Sequence, residues 1–459
     1  MESKKINKFE MDMCSGPILQ KMLIYAVPLM FSGVLQLMFN AMDIVVVGKF
    51  SGDNSLAAVG SNSSIIGLLT NLFVGMSVAA NVLVARFYGA KDRKALTRTV
   101  HTSMLMSLIS GVIMTVIGIA GAEWVLRAMQ TPDDVLPLGV LYLRIYFLGM
   151  PATMIYNFGS AILRGVGDTK RPLIYLTVAG VINVVLNLVF VIVFKLDVAG
   201  VAIATVISQC VSALMVVRCL MKERSGIRLK LSNLRIEKSK LLLLIRIGLP
   251  AGFQGMLFSL SNVVIQSSVN SFGPTVMAGN AAASNLESFV YMAMNAFHQA
   301  TVTFTSQNYG ALNYKRINKT LICGELCVTV VGIVFGNLLA GFGGTMLSIY
   351  TSSPEVIAAG MQRLNIISRT YALCGIMDVM VGSLRGIGYS VIPMIVSLIG
   401  VCVLRLVWIW SLFSIESLHV IETVYFSYPV SWLITFLTLL CCFLAVRRNL
   451  DRRIKTHGI

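Results

Sequence analysis

About twelve apolar runs, each long enough to cross a lipid bilayer as a helix, leave this chain very few folds to choose from. At ~1.5 Å per residue, about twenty residues cross a hydrocarbon layer ~30 Å thick. The runs fall near 18–47, 54–85, 95–121, 135–163, 171–194, 198–221, 241–270, 275–307, 317–342, 354–384, 391–413 and 420–446. Only 12% of the 459 residues are charged against 56% hydrophobic, too little charge to solvate a soluble surface of this size. Inside lipid every backbone N–H and C=O needs an internal partner, so helices are the only open-ended solution. The expectation is an all-α integral membrane protein. The polar stretch through Pro17, followed by a full-length apolar run, reads as an uncleaved start.

The formal charge of +17 could point to nucleic acid, but its placement argues against such a partner. Lys and Arg gather in alternate loops: Arg86, Lys91, Arg93, Lys94 and Arg98; then Lys222, Arg224, Arg228, Lys230, Arg235, Lys238 and Lys240; then Arg447, Arg448, Arg452, Arg453 and Lys455. The opposite loops carry mainly Asp53, Asp133, Asp134, Asp197, Glu355, Glu416 and Glu422. The positive-inside rule then places both termini and the central loop in the cytoplasm, with the chain multi-pass in the inner (plasma) membrane. The nine Cys lie mostly in apolar runs and lack Cys-x-x-Cys spacing, which reads as reduced thiols rather than disulfides or a metal centre.

The two halves repeat. Tyr88-Gly89-Ala90 recurs as Tyr309-Gly310-Ala311, Leu163-Arg164-Gly165-Val166-Gly167 as Leu384-Arg385-Gly386-Ile387-Gly388, and Pro172 as Pro393, each at the same offset. With a one-residue slip Pro28 matches Pro250 and Asn40 matches Asn262. The domains expected are a tail (1–17), a six-span lobe (18–221), a basic linker (222–240), a second six-span lobe (241–446) and a basic tail (447–459). Two six-span halves with the same starting side form a parallel repeat about the membrane normal, which is a transporter plan. Both repeats lie in one chain, so a monomer is expected.

The first run holds a lone carboxylate, Asp43, in its far third and a proline, Pro28, in its near third. A charged Asp at depth costs ~2.5–3.5 kcal/mol on insertion scales, so it usually faces protein or water and marks a pathway. The plain alternative is a carboxylate near the outer surface, hydrated or held by neighbouring amides.

With these residues in view the chain resembles the multidrug and toxic compound extrusion (MATE) family over nearly its whole length. The resemblance is carried by Asp43 with Val47-Gly48 and Leu56-Ala57-Ala58, by Gln307-Asn308-Tyr309-Gly310-Ala311, and by the two Leu-Arg-Gly-x-Gly blocks. It implies V-shaped packing of two lobes and export of bulky, often cationic compounds against inward H+ or Na+. It also implies cation coupling in the first lobe, at positions that here are Asp43, Asn183, Asn187 and Thr205. Asn183 and Asn187, four apart, share a helix face, and both Asn187 and Thr205 fall in the outer half with Asp43. Oxygens from a carboxylate, amides and a hydroxyl suit a hard cation, while a desolvated carboxylate suits a proton. One departure matters: Asn187 stands where the family carries a second acid, which lowers the charge available to sodium. Pro28, which removes a backbone hydrogen bond, is the expected conformational hinge. Interhelical packing is the simpler reading of the two Asn and of the proline.

The second lobe carries Glu287, Glu325, Arg363, Arg369, Asp378 and Arg405 inside its spans. Glu287, Arg369 and Arg405 fall near mid-depth and are expected to neutralise one another; otherwise Glu287 meets a cationic substrate or the arginines an anionic one. Asp378 occupies the repeat position of Asn157 and is expected to cap, to pair with Arg385, or to form a second proton site. His298 reads as a hydrogen-bonded packing residue ahead of a proton relay. The 25 Met suit a promiscuous cavity as well as ordinary helix packing. No Gly-x-x-x-x-Gly-Lys phosphate loop occurs, and no cofactor is expected. A lipid-linked saccharide flippase of the same superfamily is the alternative cargo reading. A membrane enzyme fits worst, because His101, His298, His419 and His457 fall at scattered depths.

Overall fold

The computed structural model describes residues 9–223 and 226–457, with side chains throughout except at 53, 61, 63, 64, 451 and 453–457. Of the charges read above, Arg224 lies outside the described residues, as do the side chains of Asp53, Arg453, Lys455 and His457. Among the described residues nine helices are long and apolar enough to cross a membrane. Two helix pairs, bent by 47° and 46°, each make a further broken span, for eleven in all. The chain is all-helical.

By packing, the chain divides into two compact units. The first comprises Met1–Cys14, Val27–Gly252 and Gly310–Leu312, and the second comprises Ser15–Ala26, Phe253–Tyr309 and Asn313–Ile459. Helix α1 (Ile18–Phe50) passes from one unit to the other at Ala26–Val27, beside Pro28. Helix α8 (Lys238–Asn270) does so at Gly252–Phe253, beside Pro250. Both helices run unbroken through their prolines.

The first unit adds α2 (Asp53–Gly89), α3 (Arg93–Ala128), α4 (Leu136–Leu148), α5 (Met150–Gly165), α6 (Lys170–Leu188) and α7 (Asp197–Lys222). A span expected at 135–163 is in fact the bent pair α4–α5, broken at Gly149 with Pro151 opening the second helix. Helix α6 continues as a π-turn over Val189–Val193. Near this end of α6 Val46, Val47, Ala58, Val59, Val191, Val198, Val201 and Ala202 belong to one buried cluster. The basic linker is pinned to α3: the His101 imidazole bonds the Thr97 carbonyl through Nδ1 (2.8 Å) and accepts from the Lys230 N–H at Nε2 (3.1 Å).

The second unit adds α9 (Pro274–Gly310), α10 (Tyr314–Leu347), α11 (Pro354–Arg363) with its π-turn Leu364–Ser368, α12 (Ala372–Ile387), α13 (Val391–Ser397), α14 (Leu404–Ser411) and α15 (Ile421–His457). The run at 354–384 is the other bent pair, and 391–411 is one span through a π-turn at Leu398–Val403. The run expected at 275–307 is helical as α9 but falls short of the apolarity of the others. Its polar residues, among them Asn280, Glu287, His298, Thr301, Gln307 and Asn308, are buried within the protein. Helix packing, not lipid, therefore accommodates them.

The repeated motifs terminate helices in the same way. In the first block the Gly167 and Asp168 N–H groups bond the carbonyls of Arg164 and Leu163; in the second, Gly388 and Tyr389 bond Arg385 and Leu384. Gly167 and Gly388 have φ of 95° and 106°, left-handed values that favour glycine in a helix stop. Just beyond the first stop, Arg171 bridges Asp168 and Glu223.

The Tyr-Gly-Ala repeat has a different basis: a Cβ on Gly310 would lie 1.9 Å from the Arg86 carbonyl oxygen. Gly310→Ala is therefore expected to lower stability by ~1–3 kcal/mol through overpacking. Gly121→Ala, where a Cβ meets nothing within 4 Å, should change it by no more than ~0.5 kcal/mol. Thermal unfolding of both variants in detergent would check this, and equal midpoints would refute the close-approach account.

Candidate functional site

The first unit assembles the polar residues of three helices into one chain. Asp43 on α1, Asn183 and Asn187 on α6 and Thr205 on α7, the set the family resemblance implied, come together. Asn187 Nδ2 donates to Asp43 Oδ1 (2.5 Å) and lies 3.3 Å from Asn183 Oδ1, while Asn183 Nδ2 donates to Thr205 Oγ1 (3.2 Å). The Thr205 hydroxyl donates in turn to the Val201 carbonyl (3.0 Å), one helical turn back. Asn187 is fully buried, and its Oδ1 has no hydrogen-bond partner.

The amide's two ends are thus unequal. Its N–H side serves a carboxylate and a neighbouring amide, while its buried oxygen has no protein partner. An orphaned acceptor beside a carboxylate fits a bound proton or a hard cation, since either would be met by oxygen. A turn of the Asn187 amide about its last bond would exchange the two ends at little steric cost.

Two residues that the sequence reading passed over belong with this site. Tyr142 and Tyr146 on α4 stack with ring centroids 6.0 Å apart and lie within electrostatic range of Asp43. Their spacing of four on one span was the available signal. Ser55 Oγ donates to Asp197 Oδ2 (2.9 Å), tying α2 to the start of α7 near the same end. Pro28 does not touch the site; its carbonyl accepts from Ser32 Oγ (2.9 Å), which occupies part of the bonding capacity around the proline.

In the second unit the charges pair differently from the expectation. The partner of Glu287 is Arg363, with Nη2 2.7 Å and Nε 3.2 Å from the carboxylate, and not Arg369 or Arg405. Arg369 is exposed, on the opposite side of the π-turn from the buried Arg363. Arg363 Nη1 also donates to Asn280 Oδ1 (2.8 Å), Asn280 Nδ2 to Gln266 Oε1 (2.9 Å), and Gln266 Nε2 to Asn270 Oδ1 (2.9 Å). This chain leads from the ion pair to a 410 Å³ depression lined by Asn262, Gln266 and Asn270.

Asp378 and Arg385 form no ion pair among the described residues; Arg385 Nη2 donates to Gln254 Oε1 (2.5 Å) instead. The two are seven residues apart, two helical turns, beyond the i,i+4 reach that pairing on one helix needs. Asp378 instead lies close to Tyr291, and its backbone carbonyl bonds His298 Nδ1 (2.6 Å). His298 is therefore tied into α12 packing. Both oxygens of Glu325 on α10 are buried without hydrogen-bond partners.

Three kinds of similarity bear on this arrangement. Residues 28–189 and 250–410 match the family model described as MatE. Over 91% of its length the chain is 28% identical to a "Probable multidrug resistance protein YoeA" of Bacillus subtilis (strain 168), covering 92% of that protein. It is 25% identical to a "Probable multidrug resistance protein NorM" of Thermotoga maritima, with 85% of each chain covered. A "FAD transporter" of Shewanella oneidensis is 23% identical over 75% of this chain and 76% of its own. In fold, the crystal structure of a MATE P26A mutant superposes with a TM-score of 0.90 at 20% identity, covering 98% of this chain and all of that one. The two matched blocks take in most of both helical units, from Pro28 through the Asp43 site to the helix that carries Arg405, and the chain belongs to the MATE family of transporters.

Proposed function

We propose that this protein is a secondary active multidrug exporter. It antiports bulky, often cationic compounds out of the cell against inward H+ or Na+, by alternating access of its lobes (18–221 and 241–446). The reading includes an inner-membrane location with both termini and the basic linker cytoplasmic, lipids and small molecules as the only partners, and a monomer as the working unit. Relatives named as multidrug resistance proteins support the cargo class.

The observation that carries the coupling is the Asp43–Asn187 hydrogen bond beside the orphaned Asn187 oxygen. A hydrogen bond to a charged group is worth ~1.5–3 kcal/mol, whereas an uncharged interhelical bond in a membrane averages ~0.6 kcal/mol. The grip of α6 on α1 therefore depends on whether Asp43 carries its charge. A proton or a sodium ion arriving at Asp43 cancels that charge, the Asn187 N–H keeps only a weaker, neutralised acceptor, and the amide oxygen becomes the better partner. Since a ligand shifts a conformational equilibrium only through its different affinity for the two states, this change of partner is the energy available to couple. Pro28, where α1 passes between units, is where the helix yields.

A second reading keeps the fold and changes the cargo to a lipid-linked saccharide. The buried, unpaired Arg405 favours it, because such a cargo carries phosphate. The Shewanella relative named as a FAD transporter supports this reading, since FAD carries phosphate.

Efflux of a fluorescent cationic dye from drug-sensitised cells, with Na+ and H+ gradients imposed separately, tests the proposal. Gradient-driven efflux should vanish in Asp43→Asn, and the effective gradient names the ion. Well-expressed protein with no efflux of a broad dye panel would sink the exporter reading in favour of the flippase; efflux persisting in Asp43→Asn would move coupling out of the first unit. Pro28→Ala should hold one conformation whatever the cation, and undiminished transport would remove the proline from the mechanism.

Asn187→Asp restores a second carboxylate. It should give a Na+-dependent rise in unfolding temperature larger than that of the parent, as a site bound at ~100 times its Kd gains ~2.7 kcal/mol. The same rise in choline chloride would show that sodium is not held there.

A further inference from the structure

The interior of the second unit holds one positive charge more than its carboxylate answers around Tyr428. Glu287 and Arg363, 3% and 7% exposed, neutralise each other. Arg405 on α14 is 3% exposed and forms no ion pair among the described residues. Its Nε donates to Ser431 Oγ (2.8 Å), and its guanidinium lies over the Tyr428 ring (4.1 Å from the centroid) and near Trp432 (5.6 Å). The same Tyr428 ring is 5.6 Å from the Arg363 guanidinium, so the two cations share one aromatic face region with a single carboxylate between them. Arg405 Nη2 has no hydrogen-bond partner.

Three features combine here. A guanidinium this deep in a membrane protein ordinarily meets a counter-charge. Ring faces and one hydroxyl satisfy its planes and one N–H but leave an N–H edge open. That open edge of a planar fork matches the paired oxygens of an oxyanion, which a lysine at the same place would not.

We propose that Arg405, steadied by Ser431, Tyr428 and Trp432, is an anion-binding site of the second unit that takes a carboxylate or phosphate group. The group comes either from a small solute or from an anionic lipid headgroup; the chemistry is the same. The site is separate from Asp43, and its occupation does not depend on which ion drives transport.

The test uses the full chain in phosphatidylcholine nanodiscs, titrated calorimetrically with inorganic phosphate, with benzoate and with benzamide as the neutral counterpart of benzoate. A parallel preparation containing phosphatidylglycerol supplies the lipid arm. Saturable binding of phosphate or benzoate without binding of benzamide is expected, weakened ~10-fold or more in Arg405→Gln. A solute anion that binds only in the absence of phosphatidylglycerol, or stabilisation by that lipid lost in Arg405→Gln, identifies the headgroup as occupant. No saturable anion or lipid effect, equal binding of benzamide, or unchanged affinity in Arg405→Gln would overturn the site. Should Arg405→Gln not fold, Arg405→Lys keeps the charge without the fork and Ser431→Ala frees Nε; affinities equal to the parent in both would overturn it as well.

Discussion

Where water is absent, each polar group must find its partner inside the protein, and the structure follows from that requirement at every level. Backbone groups meet it by forming helices, which accounts for the absence of any other regular element among the described residues. Side chains meet it by gathering. Helix α9 buries Asn, Glu, His, Thr and Gln along its length, and Asn280, His298 and Ser306 find partners on neighbouring helices. Other buried atoms escape the rule, among them Thr301 Oγ1 and Thr305 Oγ1 on the same helix, Asn187 Oδ1, Arg405 Nη2 and both oxygens of Glu325. In a dry interior such exceptions are costly, which makes them the places to look for ions and ligands.

Asp43 and Glu287 are held in different ways. Asp43 bonds the Asn187 amide and forms no ion pair among the described residues. Glu287 is clamped by Arg363 through two guanidinium nitrogens, a charge-assisted pair that ties α9 to α11. A carboxylate held only by an amide is suited to titration or cation exchange; one held by a guanidinium fork is suited to holding helices together. That contrast is the ground for proposing coupling at Asp43 and anion recognition at Arg405.

Much of this was legible beforehand. Span positions and the internal repeat follow from apolar run lengths and a constant offset; the grouping of Asp43, Asn183, Asn187 and Thr205 came from the family resemblance, with helical depth in support. The pairing in the second half was not. Arg363 and Arg369 are six residues apart on one predicted span, and depth alone favoured Arg369. Six residues on a regular helix already set two side chains ~120° apart, and the π-turn at Leu364–Ser368 lies between them; Arg363 is buried and Arg369 exposed. Which of the two faces inward is decided by helix packing. Likewise the breaks at Gly149 and before Ala372 are invisible to hydropathy, which sees only two continuous apolar runs.

By itself, then, the sequence determined the class of fold, the number of crossings to within one and the repeat, because lipid imposes length, apolarity and topology on a chain directly. Only the tertiary structure decided which buried charge answers which, that Tyr142 and Tyr146 stand by Asp43, and that one arginine is left without a carboxylate. Those outcomes depend on helix rotation and on side-chain reach across helices far apart in the chain. A shift of one residue in register rotates a side chain by ~100°, and nothing in a linear pattern controls that.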